Sequence, residues 1–220
     1  MNKRYSGTAF CMLFLAVGLV RPAQSQGRFQ AVLDAKLGAA VHEVEAGLDG
    51  VLGVALKDLK TGQTLLLNER EAFPQASSIK IAVLYEMFKQ AEEGRLRLDE
   101  FITVDEGRKV GGSGVLFYLG RPSLSLSVRD LAVLMVVLSD NTATNLLIDK
   151  VGMDAVNNRM DALGLPKTRL RRKMMDLKAA AEGRENVSTP LEMMTLLEKI
   201  WKGGILGESY RKDLLAILAI

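Results

Sequence analysis

The stretch Phe73-Pro-Gln-Ala-Ser-Ser-Ile-Lys-Ile-Ala-Val-Leu84 does most to restrict how this chain can fold. Pro74 ends an extended segment, since its ring fixes φ and removes a backbone donor, and a helical pattern begins just after it. Ile79, Val83 and Met87 recur at spacings of four, which places them on one buried helix face. Gly94 supplies the stop, because glycine takes the left-handed C-cap without penalty. Ser77 then falls in the first turn, where unpaired N–H groups and the positive helix end favour a developing negative charge. Lys80, three residues on, shares its face. An amine held beside a hydroxyl can take its proton only when neutral. Chemistry at this pair therefore requires a lysine pKa lowered by burial or by a neighbouring cation.

By itself the Ser-x-x-Lys spacing also fits a serine N-cap followed by a solvated lysine. A second motif, Ser139-Asp140-Asn141, stands at the junction of two later helical stretches. In this order, and with the following text Ser139-Asp-Asn-Thr-Ala-Thr-Asn-Leu-Leu147, the two resemble the penicillin-recognising serine hydrolases, in particular the class A β-lactamases. The resemblance runs from about Leu37 to Ile220. It implies an α/β fold in which an antiparallel sheet is flanked by helices and carries an inserted all-α subdomain over about residues 95–188. The active site would lie in the cleft between the two. The resemblance implies a small β-lactam or peptide-like acyl substrate, no metal or organic cofactor, no nucleic-acid partner and a monomer.

Residues 1–25 read as an export leader rather than as fold. Lys3 and Arg4 make a basic start, Ala9 to Val20 an apolar core, and Ala23-Gln24-Ser25 a small-x-small cleavage site. The expected location is periplasmic or secreted, with no membrane anchor once the leader is cut. The single cysteine, Cys11, lies inside the leader, so the mature chain is expected to lack thiol and disulfide chemistry. Of the 29 lysines and arginines, Lys3, Arg4 and Arg21 leave with the leader, while all 26 acids stay. The positive net charge of the full sequence thus disappears, and with it any nucleic-acid footprint. His42 is the single histidine and lies on the first helix, far from either motif. A Ser-His-Asp triad or a multi-histidine metal site has no place to form. Lysine is the base left for a serine nucleophile.

Phe29, Val32, Leu33, Leu37, Val41, Val44 and Leu48 follow a helical period and give an amphipathic first helix ended by Gly50. Val51–Leu56 and Thr64–Leu67 read as strands joined by a turn containing Lys60-Thr61-Gly62. Those letters match the family's third motif, but they precede the nucleophile and read as turn chemistry. Arg95 to Pro122 reads as irregular, with Phe117 and Tyr118 as a buried aromatic pair or as a pocket wall. Ser127-Val-Arg-Asp130 is a capping-box match that opens a helix over Val128–Leu138. Helices follow over Asn141–Val151 and Met153–Leu163, making Arg95–Gly164 mostly α. Gly164 to Ser188 reads as a long loop, and Thr189-Pro190-Leu191-Glu192 as a helix start. Trp201 is expected in the core, and Tyr210–Ile220 as a last helix.

For acyl transfer, the resemblance implies that Ser77 attacks the substrate carbonyl and that Lys80 takes or relays its proton. Ser139 would pass a proton to the leaving nitrogen. Asn141 would hold the substrate amide and Lys80, with Tyr118 a further candidate for substrate contact. Asp140 would brace the turn, and the Ser77 backbone N–H plus one strand N–H would hold the oxyanion. Arg172 matches the arginine that tethers the family's Ω-shaped loop. Asn186 aligns with its acidic partner, so the expected tether is a hydrogen bond. The alignment also puts Met174 where the deacylating glutamate belongs and Lys178 where an asparagine helps to hold water. Asp176 is the candidate replacement base, with Glu182 and Glu185 behind it. The family's Lys-Thr-Gly strand would fall after Ile220, so the reading expects a C-terminally incomplete chain, inactive alone. Three functions follow: a β-lactamase, a penicillin-binding peptidase, esterase or amidase, and an inactive binding scaffold.

Overall fold

The computed structural model describes residues 22–120 and 123–220. Residues 1–21 of the expected leader, Cys11 among them, lie outside the described residues. The chain divides into two compact units that meet in sequence at Gly50. Helix α1 (Pro22–Gly47) makes up the described part of the first unit. On it, exposed His42 sits 3.1 Å from Glu45. No helix among the described residues is long and apolar enough to cross a membrane.

The second unit begins with a hairpin, β1 (Val54–Lys57) and β2 (Thr64–Leu67), in the antiparallel register Val54 to Leu67. Its turn holds Lys60-Thr61-Gly62. The Asp58 carboxylate accepts the Lys60 N–H at 2.7 Å, the Asp58 carbonyl accepts the Gly62 N–H at 2.7 Å, and Gly62 takes φ +80°. The tripeptide is turn chemistry here. Next comes β3 (Phe73–Pro74), then a 3-10 turn over Ala76–Ile79, then α2 (Lys80–Glu92). Ile79, Val83 and Met87 are completely buried, as their spacing predicts. Gly94 ends the helix at φ +71°, and its N–H donates to the Ala91 carbonyl.

Helix α2 is the axis of the unit. Helices α3 (Val128–Val137), α4 (Asn141–Val151), α5 (Met153–Ala162) and α8 (Glu208–Leu218) all pack against it. Their inward side chains, among them Leu131, Met135, Leu147, Val156 and Ile217, form one core with Leu84 and Phe88. Burial of this apolar area is the main stabilising term, because ordering the chain opposes folding throughout.

The segment Arg95–Gly164 is less uniformly helical than its composition suggests. Strand β4 (Phe101–Val104) pairs antiparallel with β5 (Leu124–Ser127), so the inserted region is not all-α. Ile102 and Val104 turn inward and Phe101 and Thr103 outward, an alternation too short to stand out in the sequence. The segment Gly164–Ser188 likewise contains a short helix, α6 (Leu177–Ala181), and a strand, β6 (Val187–Ser188), that pairs with β3. The sheet elements are thus three separate two-stranded ladders among the described residues.

Helix α7 (Pro190–Lys202) opens as its sequence predicts, with proline at its start and the Thr189 hydroxyl accepting the Glu192 N–H at 3.1 Å. The expected reciprocal bond does not form. The Glu192 carboxylate instead accepts the Lys167 N–H at 3.0 Å and the Thr168 hydroxyl at 2.7 Å. Trp201 is not core; it is 56% exposed. Leu196 and Ile200 carry the buried stripe of α7, and Trp201, about 100° further round, borders an apolar groove of about 710 Å³ with Met193, Met194 and Leu197.

Candidate active site

Ser77 lies in the 3-10 turn that precedes α2, not inside the helix, and Lys80 is the first residue of α2. Ala76, just before the serine, takes φ +42°. A residue with a Cβ adopts that conformation at a cost, and such strain gathers where a side chain must be aimed. Lys80 is buried. Its Nζ donates to the Ser139 carbonyl at 2.7 Å, to Ser139 Oγ at 2.9 Å and to Asn141 Oδ1 at 3.2 Å. Ser139 Oγ in turn donates to Ser77 Oγ at 2.8 Å. Lys80 therefore reaches the Ser77 hydroxyl through that of Ser139. Burial lowers the Lys80 pKa to about 8, against the pull of the Asp140 carboxylate, which favours the charged form.

The first turn of α4 holds this arrangement in place. Ser139 takes φ +53°, and Asp140 caps the helix by accepting the Ala143 N–H at 2.9 Å. The other Asp140 oxygen accepts the N–H groups of Val115 and Leu116 at 2.7 and 2.8 Å. Asn141 Nδ2 donates to the Gly111 carbonyl at 3.1 Å, and the Thr142 hydroxyl both accepts from and donates to the Val110 backbone. Asn145, one turn along, clasps Met174: its Oδ1 accepts the Met174 N–H at 2.8 Å and its Nδ2 donates to the Met174 carbonyl at 3.1 Å. Side chains from the start of one helix thus fix two loops. At Gly114 a Cβ would overlap the Asp140 carboxylate, and φ is +106°. Gly114→Ala should lower stability by about 2–4 kcal/mol, read as a drop in thermal midpoint; an unchanged midpoint would contradict the packing described.

The loop over 172–186 departs from expectation at two points. Asp176 stands at the start of α6. It is exposed, and its Oδ1 caps α6 by accepting the Ala179 N–H at 3.0 Å. The hydrogen bonds between Arg172 and Asn186 form on the Arg172 backbone, and its side chain takes a different partner. Its guanidinium makes a two-point ion pair with the Glu185 carboxylate, at 2.9 and 3.0 Å. The guanidinium holds the Glu185 carboxyl below the usual carboxylate range. Asn186 grips backbone instead: its Oδ1 accepts the N–H groups of Arg171 and Arg172, and its Nδ2 donates to the Arg172 carbonyl. The Asn186 carbonyl also accepts the Gln75 N–H at 2.8 Å, linking the loop to the nucleophile turn. Arg172→Gln should leave the backbone clasp intact and cost roughly 1–3 kcal/mol of stability, measured by denaturant titration against wild type.

Met174, at the position of the expected deacylating base, is buried within the apolar core. Phe117 and Tyr118 pack edge to face at 5.1 Å but are exposed, Tyr118 at 72%, so they are not a buried pair. Asn145 is the site residue that sequence reasoning misses, and Glu185 enters there as a candidate base rather than as the partner of Arg172. For Asn145 a signal exists: it lies one turn after Asn141, on the same helix face. Among the described residues, no group of three or more histidine, cysteine, aspartate or glutamate side chains is placed to hold a metal ion.

Known proteins resemble this chain in sequence and in fold. The curated "Beta-lactamase L2" of Stenotrophomonas maltophilia is 29% identical over 96% of this chain and 70% of its own length. A solved β-lactamase from Sphaerobacter thermophilus superposes with a TM-score of 0.76 at 33% identity, covering 82% of this chain and 67% of that one. A mutant of PBP-A, solved as its acyl-enzyme complex with penicillin G, superposes at 0.74 and 30% identity, covering 83% of this chain and 68% of that one. The family profile described as "Beta-lactamase enzyme family" matches residues 36–219. The chain belongs to the beta-lactamase enzyme family, as a serine hydrolase of the β-lactamase type.

Proposed function

We propose that the protein opens β-lactams through an acyl-enzyme on Ser77 and releases the acyl group slowly. The observation that carries this reading is the chain of contacts from Lys80 Nζ through Ser139 Oγ to Ser77 Oγ. With Lys80 charged, the donors run from lysine towards Ser77. Once Lys80 loses a proton, both hydroxyls can turn round, so that Ser77 donates to Ser139 and Ser139 to the amine. Ser77 Oγ then attacks the lactam carbonyl, and its proton moves through Ser139 to Lys80. When the C–N bond breaks, Ser139 hands a proton to the leaving nitrogen, and Lys80 replenishes it. Asn141 orients Lys80 through its Oδ1 and is placed to meet the substrate amide; Asp140 braces the turn. Slow release is expected because Met174, at the position of the family's base, takes no proton, and Asp176 Oδ1 is held as a helix cap. The helical region about 95–188 forms the wall of the cleft that carries Ser139 and Asn141. The leader would deliver the protein to the periplasm, where a cell-wall-directed β-lactam acts.

The test is intact-protein mass over time after mixing benzylpenicillin with the protein carried through the Lys-Thr-Gly strand that the family resemblance expects. An adduct on Ser77 that forms quickly and decays slowly is the expected result. No adduct would overturn the assignment of the nucleophile. The rate of adduct formation should rise with pH and level off above about pH 8, since the neutral form of Lys80, whose pKa is about 8, is the reactive one. A rate flat from pH 6 to 9 would remove Lys80 from the role of base.

A further inference from the structure

Lys109 carries an enclosed ammonium that none of the acyl-transfer steps uses. Its side chain is 2% exposed. Nζ donates to the Leu119 carbonyl at 2.7 Å and to the Glu106 carboxylate at 2.8 Å. Taking an ammonium out of water is costly unless its partners are good, and one of these two is a backbone carbonyl ten residues away. The contact therefore ties the two ends of the segment 109–119 together. Ordering this segment costs more than most, because Gly112 and Gly120 lie in it and just after it at φ +87° and +73°. Glycine gives up more backbone freedom on folding than any other residue.

The same segment supplies the acceptors that orient the site. Asn141 Nδ2 donates to the Gly111 carbonyl at 3.1 Å, and the Asn141 N–H to the Ser113 carbonyl at 3.1 Å. An amide has one donating and one accepting end, so the hold on Gly111 leaves Oδ1 facing Lys80, 3.2 Å away. The first turn of α4 grips the segment from Val110, through Thr142, to Leu116, through Asp140. Lys109 closes it from outside that grip, joining the residue before Val110 to Leu119. Resting on the acyl-enzyme reading above, we propose that Lys109 is a positioning residue for acylation. By closing the segment it keeps the Gly111 carbonyl in place, and that carbonyl sets the Asn141 amide that orients Lys80. Lys109 touches neither Ser77 nor Lys80 and acts through Asn141 alone.

The experiment is a double-mutant cycle on the protein carried through the Lys-Thr-Gly strand. Second-order rates of adduct formation with benzylpenicillin are read by intact mass for wild type, Lys109→Met, Asn141→Ala and the double variant. Methionine fills the enclosed slot with an unbranched chain but donates no hydrogen bond, and it leaves Glu106, 61% exposed, to water. Lys109→Met should acylate about 10-fold more slowly than wild type, the scale of a small misplacement of a catalytic group. In the Asn141→Ala background the same substitution should cost less than about 3-fold, because the amide it acts on is gone. Lys109→Arg, which can still donate to the Leu119 carbonyl, should stay within about 3-fold of wild type. If Lys109→Met does not fold, Lys109→Gln, polar but too short for Leu119, takes its place in the cycle. An unchanged rate in the folded variant, or an equal loss in both backgrounds as a merely structural role would give, would overturn the proposal and leave the acyl-enzyme reading standing. Absence of an adduct on wild type would overturn the acyl-enzyme reading, and the proposal with it.

Discussion

Lys80→Arg should reduce the rate of Ser77 acylation by about 10²–10⁴-fold, the range that a lost general base spans. The substitution keeps a positive charge near Ser139 and Asn141 but installs a group that does not give up its proton in water. The residual rate should also lose its rise towards pH 8. That second readout separates a lost base from a merely disturbed pocket, because misplacement alone would lower the rate without flattening the profile. The same lysine has a signature in stability. Its pKa is 10.5 when unfolded and about 8 when folded, so between those values the unfolded chain binds more protons. Wild-type stability should therefore rise with pH across that window, and the rise should be absent from Lys80→Arg. A denaturant midpoint with the same pH dependence in both proteins would contradict the burial of a titrating amine.

Met174→Glu should have the opposite kind of effect, converting a persistent adduct into one that turns over. The Met174 backbone is already clasped by Asn145, so a carboxylate would enter a frame that is in place. General-base assistance is worth about 10²–10⁴-fold. The gain should lie near the lower end, since Lys178 replaces the asparagine that the family resemblance expects beside the water. Burial would raise the pKa of the new carboxyl, so the acceleration should grow towards alkaline pH. Met174→Gln is the control: it is polar and of similar size but takes no proton, and should leave the decay rate within about 3-fold of wild type. Equal acceleration by Gln and Glu would mean that access of water, not proton transfer, limits release.

Features set by short-range chemistry are legible in the residues themselves. The Ser127 and Thr189 caps, the Gly94 stop and the turn at Lys60-Thr61-Gly62 depend on neighbours within a few residues, and each forms. The two motifs are legible because the residues that must meet are grouped at Ser77–Lys80 and at Ser139–Asn141. What the sequence leaves open depends on the path of the chain between distant points. The β4–β5 ladder joins two four-residue strands across an irregular segment, and neither strand has a period long enough to declare itself. Trp201 escapes its expected place in the core because one step along a helix carries a side chain off the buried stripe. The choice between Glu185 and Asn186 as partner of Arg172 is a one-residue difference in loop path, which alignment alone does not resolve. The route from Lys80 to Ser77 by way of Ser139 likewise follows from the left-handed turn at Ser139, not from the spacing of Ser77 and Lys80.

The grip of Asn145 on Met174 is directed wholly at backbone atoms, and so are the contacts of Asp140 to Val115 and Leu116 and of Thr142 to Val110. A socket of that kind is indifferent to what is plugged into it. Side chains on either loop can be exchanged while the helix goes on presenting each position at the same place. A single replacement at Met174 is then a small step in sequence that exchanges the chemistry at that position without rebuilding the fold.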